Sequence, residues 1–132
     1  MIHIVNPVHR YQKLWLVIGY ALVALVIYLS ASSHPPDSGI ELPNFDKVMH
    51  ALAYFVLMGW FAQLYHVKKH RIIYALAFVF MGIVLEIVQS FDPARSAELA
   101  DMVANTSGVL LALLLTRIPA LRQVLKKIET FI

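Results

Sequence analysis

Residues 72–89 read IIYALAFVFMGIVLEIVQ, a hydrophobic run interrupted by one carboxylate, Glu86, and one amide, Gln89. As a helix this run is about 27 Å long, close to the ~30 Å of hydrocarbon in a bilayer. A surface helix of a soluble domain would carry a polar face along its whole length, and this one does not. Glu86 lies between Ile83-Val84-Leu85 and Ile87-Val88. A charge so placed is costly, turns toward the interior of a helix bundle, and by default marks a functional site. Gly82, Glu86 and Gln89 follow one another at spacings of four and three, which puts them on one stripe at one end of the helix.

Working outward, three more stretches approach spanning length: 14–31, 45–65 and about 97–116. The chain has 132 residues, 60% hydrophobic and 14% charged, with a mean hydropathy of +0.70, and a bilayer is the solvent that suits such a composition. The sequence thus predicts an all-α, polytopic membrane protein with four transmembrane helices in a compact antiparallel bundle. The spans occupy over half the chain and the connections are short, so 1–132 is expected to form a single membrane domain. The absence of cysteine excludes disulfides, thiolate catalysis and cysteine metal sites. The first stretch has the flanks of a signal peptide, with Arg10 and Lys13 before it and Ser30-Ala31-Ser32-Ser33 after it. Its apolar run exceeds the roughly 7–15 residues of a signal core, so a retained helix is expected.

Alternating spans would put nine basic residues on one side: Arg10, Lys13, Lys68, Lys69, Arg71, Arg117, Arg122, Lys126 and Lys127. Only Lys47 and Arg95 would fall on the other. The positive-inside rule then places both termini and the 66–71 loop in the cytoplasm, and the 32–45 and 90–97 connections outside. Of the eight acidic residues only Glu129 would be cytoplasmic. The other seven gather at the outer end. A net charge of +3, split by position in this way, does not suit nucleic acid; membrane lipids are the expected partners, and the oligomeric state is not legible. In the cytoplasmic tail, 118–132, Leu121, Val124, Leu125 and Ile128 share one face and Arg122, Lys126 and Lys127 lie elsewhere, the pattern of an amphipathic helix on an anionic leaflet. Pro119 separates it from the fourth span.

The remaining polar residues repeat the stripe pattern. Asp46, His50 and Tyr54 descend one face of the second helix, below a possible N-cap at Asn44. Glu98, Asp101, Asn105, Gly108 and Ala112 form a stripe on the fourth, polar above and small below. Each has an ordinary structural reading: Asp46 complements a helix dipole, His50 packs against its neighbours, and Arg95 bridges carboxylates. The run His66 to Arg71 is a turn explained by topology, with no chemistry assigned. Taken together, however, three stripes at one level form a set able to do acid–base work. His50, Glu86 and Asp101 are the catalytic candidates; Asp46, Lys47, Tyr54, Gln89, Arg95, Glu98 and Asn105 are the candidates for ligand binding. No cofactor is expected. A metal held by His50, Glu86 and Asp101 is a minor alternative, because one histidine with two carboxylates selects no particular ion. Hydrolase signatures and phosphate-cradling glycine loops are absent.

The ordered motifs Asp46-Lys47-x-x-His50-x-x-x-Tyr54, Glu86-x-x-Gln89-x-Phe91-x-Pro93-x-Arg95 and Asp101-x-x-x-Asn105-x-x-Gly108 resemble the signature of VanZ-like membrane proteins. The resemblance covers about 46–115. One departure is Leu85, where many relatives carry an acidic residue. The resemblance implies an integral cytoplasmic-membrane protein of bacteria, in a family named for a member associated with teicoplanin resistance, and it implies no settled reaction. The functional expectation is an envelope protein whose outward-facing polar site binds, and in one version modifies, a lipid-linked or peptidoglycan-related ligand. The alternatives are a small proton- or cation-coupled transporter and a non-catalytic structural or partner-binding module.

Overall fold

The computed structural model describes residues 11–31, 45–65, 67–91, 99–121 and 124–131. Among these the chain is all-α: α1 (Gln12–Ala31), α2 (Phe45–Leu64), α3 (Lys68–Gln89) and α4 (Leu99–Leu115), then a 3-10 turn (Pro119–Leu121) and the short α5 (Val124–Glu129). α1 and α3 are long and apolar enough to cross a membrane, and α4 is a shorter apolar helix. Large apolar side chains point outward along the bundle, with Val17, Tyr28, Leu76 and Phe80 each more than 60% exposed, while Glu86, Gln89, Asp101 and Asn105 are buried. This arrangement inverts the usual distribution of a water-soluble fold, in which buried charge and large exposed apolar faces are the exceptions.

The closest pair in the bundle is α2 with α4. Its cause is Gly108: a Cβ there would overlap the Ala51 carbonyl oxygen and come within 3.0 Å of the Phe55 nitrogen. Only a residue without a side chain lets the two backbones meet, which is how helices associate where no hydrophobic force separates protein from lipid. Beside this contact Tyr54, Leu57, Met58, Phe61, Leu64 and Val109 are fully enclosed. α1 packs on α2 and α3. There Gly19 admits the Trp60 indole, whose Nε1 donates to the Trp15 carbonyl at 2.8 Å. Phe61 stacks on Tyr74 at 4.8 Å and Tyr74 on Tyr65 at 4.9 Å, so α3 is held to α2 by aromatic faces.

One expectation changes. The basic run read as a turn is the first turn of α3, which begins at Lys68 after Val67. Lysine and arginine are good helix formers, and Arg71 bends back to donate to the Ala62 carbonyl from Nε at 3.2 Å and Nη2 at 2.8 Å. That carbonyl belongs to the last turn of α2, so Arg71 caps α2. The tail forms the six-residue α5, which buries Leu125 and Glu129 against the bundle and leaves Val124, Lys126, Lys127 and Ile128 exposed. Gln63 Oε1 accepts from the Val124 and Leu125 backbone nitrogens at 2.7 and 3.3 Å, and its Nε2 donates to the Leu121 carbonyl at 2.5 Å. Glu129 accepts from the Trp15 indole and from the Tyr11 nitrogen, so the carboxylate also sits against the positive end of α1.

Gly108→Ala is expected to lower the thermal midpoint of the purified protein in detergent, by a loss of roughly 1–3 kcal/mol as the α2–α4 contact is forced apart. Gly59→Ala, where a Cβ would meet no atom within 4 Å, should be neutral or gain up to about 1 kcal/mol. Scanning fluorimetry on the two variants measures the contrast.

Candidate functional site

The polar residues of α2, α3 and α4 come together at one end of the bundle, where α2 and α4 begin and α3 ends. Lys47, on the first turn of α2, places Nζ 2.9 Å from Asp101 Oδ1. His50, one turn further in, sits between two partners on α4: Nε2 is 3.9 Å from Asp101 Oδ2 and Nδ1 is 3.1 Å from Asn105 Oδ1. Asp101 and Asn105 are one helical turn apart, and Lys47 and His50 nearly so, which is why two short stripes interlock residue by residue. Asn105 Oδ1 can accept from Nδ1 when that nitrogen carries the proton, and Nε2 is directed to the Asp101 side.

The site closes inward and opens outward. The side chains of Lys47 and His50 keep 20% and 22% of their exposure, whereas Asp101 keeps 8%. Beneath them Tyr54, Glu86 and Asn105 are buried. Gly82 of α3 forms the wall: its missing Cβ would lie 3.1 Å from Asn105 Nδ2 and 3.4 Å from the Tyr54 hydroxyl. The Glu86 carboxylate, on the same stripe, interacts electrostatically with Tyr54. An ammonium, an imidazole, two carboxylates, a phenol and an amide therefore occupy one small volume supplied by three helices. Such a set can bind a polar headgroup at its charged mouth and move a proton between His50 and a ligand held there.

Not every candidate joins it. Gln89 donates from Nε2 to the Ser30 carbonyl at 2.6 Å, which ties the end of α3 to the last turn of α1. It satisfies a helix-terminal carbonyl and acts as a structural clamp beside the site. The side chain of Asp46, and all of Arg95, Glu98 and Asn44, lie outside the described residues. Among the described residues no group of three histidine or acidic side chains is arranged to hold a metal ion. Sequence reasoning missed the role of Ser30, because a backbone carbonyl leaves no mark in composition. It also missed the chain of hydroxyls from Tyr20 to Tyr74 at 3.1 Å and Tyr74 to Tyr65 at 3.3 Å, where the aromatic residues alone gave no hint of pairing.

Fold and site together define a small helical protein that is apolar outside and charged within at one end. The model of the VanZ/LLP1 family matches residues 9–121, and the chain belongs to that family. It is 33% identical over 102 residues to the uncharacterized protein C11E3.10 of the fission yeast Schizosaccharomyces pombe, a match covering 75% of this chain and 61% of that protein. The chain thus spans about three-fifths of the length of that relative. No solved structure matches the chain.

The Lys47–Asp101 pair should show coupling. Asp101→Asn is expected to cost on the order of 2 kcal/mol, since it removes a carboxylate charge 2.9 Å from a partly buried ammonium. Once Lys47→Met is present the same change should cost less, by about 1 kcal/mol or more. A double-mutant cycle of denaturation midpoints in detergent checks this; additive losses would mean that the pair is not formed.

Proposed function

We propose that the protein crosses the cytoplasmic membrane of a bacterial cell with all four long helices, keeps both ends in the cytoplasm, and uses its outward polar end to bind the headgroup of a lipid-linked or cell-wall-related ligand. The observation that carries this reading is the half-open cluster of Lys47, His50, Asp101 and Asn105, charged at its mouth and closed beneath by Tyr54, Glu86 and Gly82. The excess of basic residues at the opposite end supports the orientation. In this reading Lys47, with Arg95 from the 92–98 connection, attracts the anionic part of the ligand. His50 exchanges a proton with it, Asp101 stabilises the imidazolium, and Asn105 fixes the ring orientation. Asp46 and Glu98 would complete the rim. A ligand at headgroup depth is the natural one for polar groups that sit at the end of a membrane bundle. The relative comes from a yeast, whose envelope contains no peptidoglycan, and this favours the lipid-linked form of the ligand.

Transport has less support. Below Tyr54 the interior is filled by Leu57, Met58, Phe61, Leu64 and Val109. Gln63 and Thr116, polar residues of the opposite half, are otherwise engaged: Gln63 binds the Leu121 segment, and the Thr116 hydroxyl donates to the Leu113 carbonyl at 2.5 Å. A structural role is favoured by one specific observation, that Lys47–Asp101 joins the two most closely packed helices. The two readings separate under a paired apolar replacement, Lys47→Met with Asp101→Leu, which keeps the helices together and removes the charges. Ligand binding predicts a folded, inactive protein, and a helix lock predicts a folded, active one.

In a host strain lacking its own copy, alanine at His50, Glu86 or Arg95 is expected to leave the protein in the membrane at wild-type level and to abolish complementation, read as envelope integrity and glycopeptide susceptibility. Normal complementation by all three variants would reject the proposal.

A further inference from the structure

Away from the polar end, an open cavity of about 310 Å³ lies between the lower halves of α2 and α4 and ends on α5. This is the low end of the size range of ligand sites. Phe55, Gly59, Trp60, Ala112, Leu115 and Ile128 supply most of its character, which is almost wholly apolar. Its polar members, Gln63 and Thr116, spend hydrogen bonds on the chain itself, so the cavity favours an occupant that asks for none.

Gly59 is the informative residue. Gly19, Gly82 and Gly108 are each covered by another part of the protein, whereas a Cβ on Gly59 would meet nothing within 4 Å. Glycine in mid-helix costs about 1 kcal/mol relative to alanine, and at Gly59 no protein atom makes use of the space. Arg117, Lys126 and Lys127 do not line the cavity, but each is the chain neighbour of a residue that does, Thr116, Leu125 and Ile128 respectively. All three are exposed, Lys127 donating to the Ala120 carbonyl at 3.2 Å, while Glu129, the acid of that segment, is turned inward to Trp15 and Tyr11. The end of the bundle on which the cavity closes is therefore basic.

We propose that this cavity is a binding site for an anionic phospholipid, one acyl chain lying in the groove over Gly59 and the headgroup at Lys126, Lys127 and Arg117. The inference rests on the membrane embedding proposed above but not on the ligand of the polar site. A flexible chain fits a groove that α5 closes at one end, where a straight helix from a second copy would run into it. The lysines supply the charge preference, each basic residue near an anionic leaflet contributing about 1 kcal/mol.

The test uses Trp60 as the reporter. The full chain is reconstituted in phosphatidylcholine vesicles containing a minor fraction of chain-brominated lipid, either phosphatidylglycerol or phosphatidylcholine, and tryptophan emission is recorded. Trp15 is buried against Glu129 and contributes a constant background; Trp15→Phe, which keeps the backbone carbonyl that Trp60 uses, isolates the signal. Brominated phosphatidylglycerol is expected to quench more than brominated phosphatidylcholine, with a preference on the order of fivefold per lysine. Gly59→Leu should fill the groove and remove the excess, and Arg117→Gln with Lys126→Gln and Lys127→Gln should equalise the two lipids while quenching persists. Equal quenching in the wild type, or an excess that survives Gly59→Leu, overturns the proposal. Quenching by neither lipid in protein that resists carbonate extraction also overturns it, since a protein surface then covers the groove. Release by carbonate would instead sink the embedding itself.

Discussion

Everything in this molecule depends on how closely α2 and α4 can approach. Gly108 brings the α4 backbone onto the Ala51 carbonyl, and that contact sets the register in which Lys47 meets Asp101 and His50 meets both Asp101 and Asn105. A side chain of any size at 108 would move α4 outward, and the pairs above it would lengthen together. The site is thus a consequence of backbone packing below it. Its charged residues hold positions that the small residue makes available.

The third helix completes this arrangement by the same means. Gly82 lets α3 approach Asn105 and the Tyr54 hydroxyl, and the Glu86 carboxylate follows one turn further along. Burying this many ionisable groups is tolerable because they answer one another: the ammonium faces a carboxylate, the imidazole an amide and a carboxylate. The opposite end solves a different problem. There Arg71 caps α2, Gln63 caps α5, and Glu129 meets the start of α1, so polar groups satisfy helix termini. Among the described residues, one end keeps Lys47 and His50 partly open around Asp101, whereas at the other Arg71, Gln63 and Glu129 are spent on helix termini.

Much of this was legible in the sequence. The stripes Gly82, Glu86, Gln89 and Asp101, Asn105, Gly108, Ala112 are all buried, as helical periodicity requires once apolar residues fill the rest of each helix. Antiparallel helices with short connections imply that the stripes face one another, but they do not say that His50 meets Asp101 and Asn105 in particular. What could not be read was anything that depends on the rotation of one helix against another. Gln89 stands on the right stripe, yet α1 offers it the Ser30 carbonyl before the site can use it. The tail shows the same limit: Leu121, Val124, Leu125 and Ile128 share a face by spacing, yet only Leu125 is buried, and the side chain that holds the segment, Gln63, lies about sixty residues earlier. The charge run at Lys68 to Arg71 was given a topological reason that hid a structural one, because the carbonyl that Arg71 caps is invisible in a list of side chains.

The polar end and the basic end are proposed to lie on opposite sides of one bilayer, the polar end facing away from the cytoplasm. The chain contains no cysteine, so single cysteines can be placed at the exposed Val48, beside the site, and at the exposed Lys69, at the start of α3. In intact bacterial cells a membrane-impermeant maleimide should label Val48→Cys and leave Lys69→Cys unmodified until the membrane is opened. Labelling of Lys69→Cys in intact cells, or of both positions alike, would contradict the account.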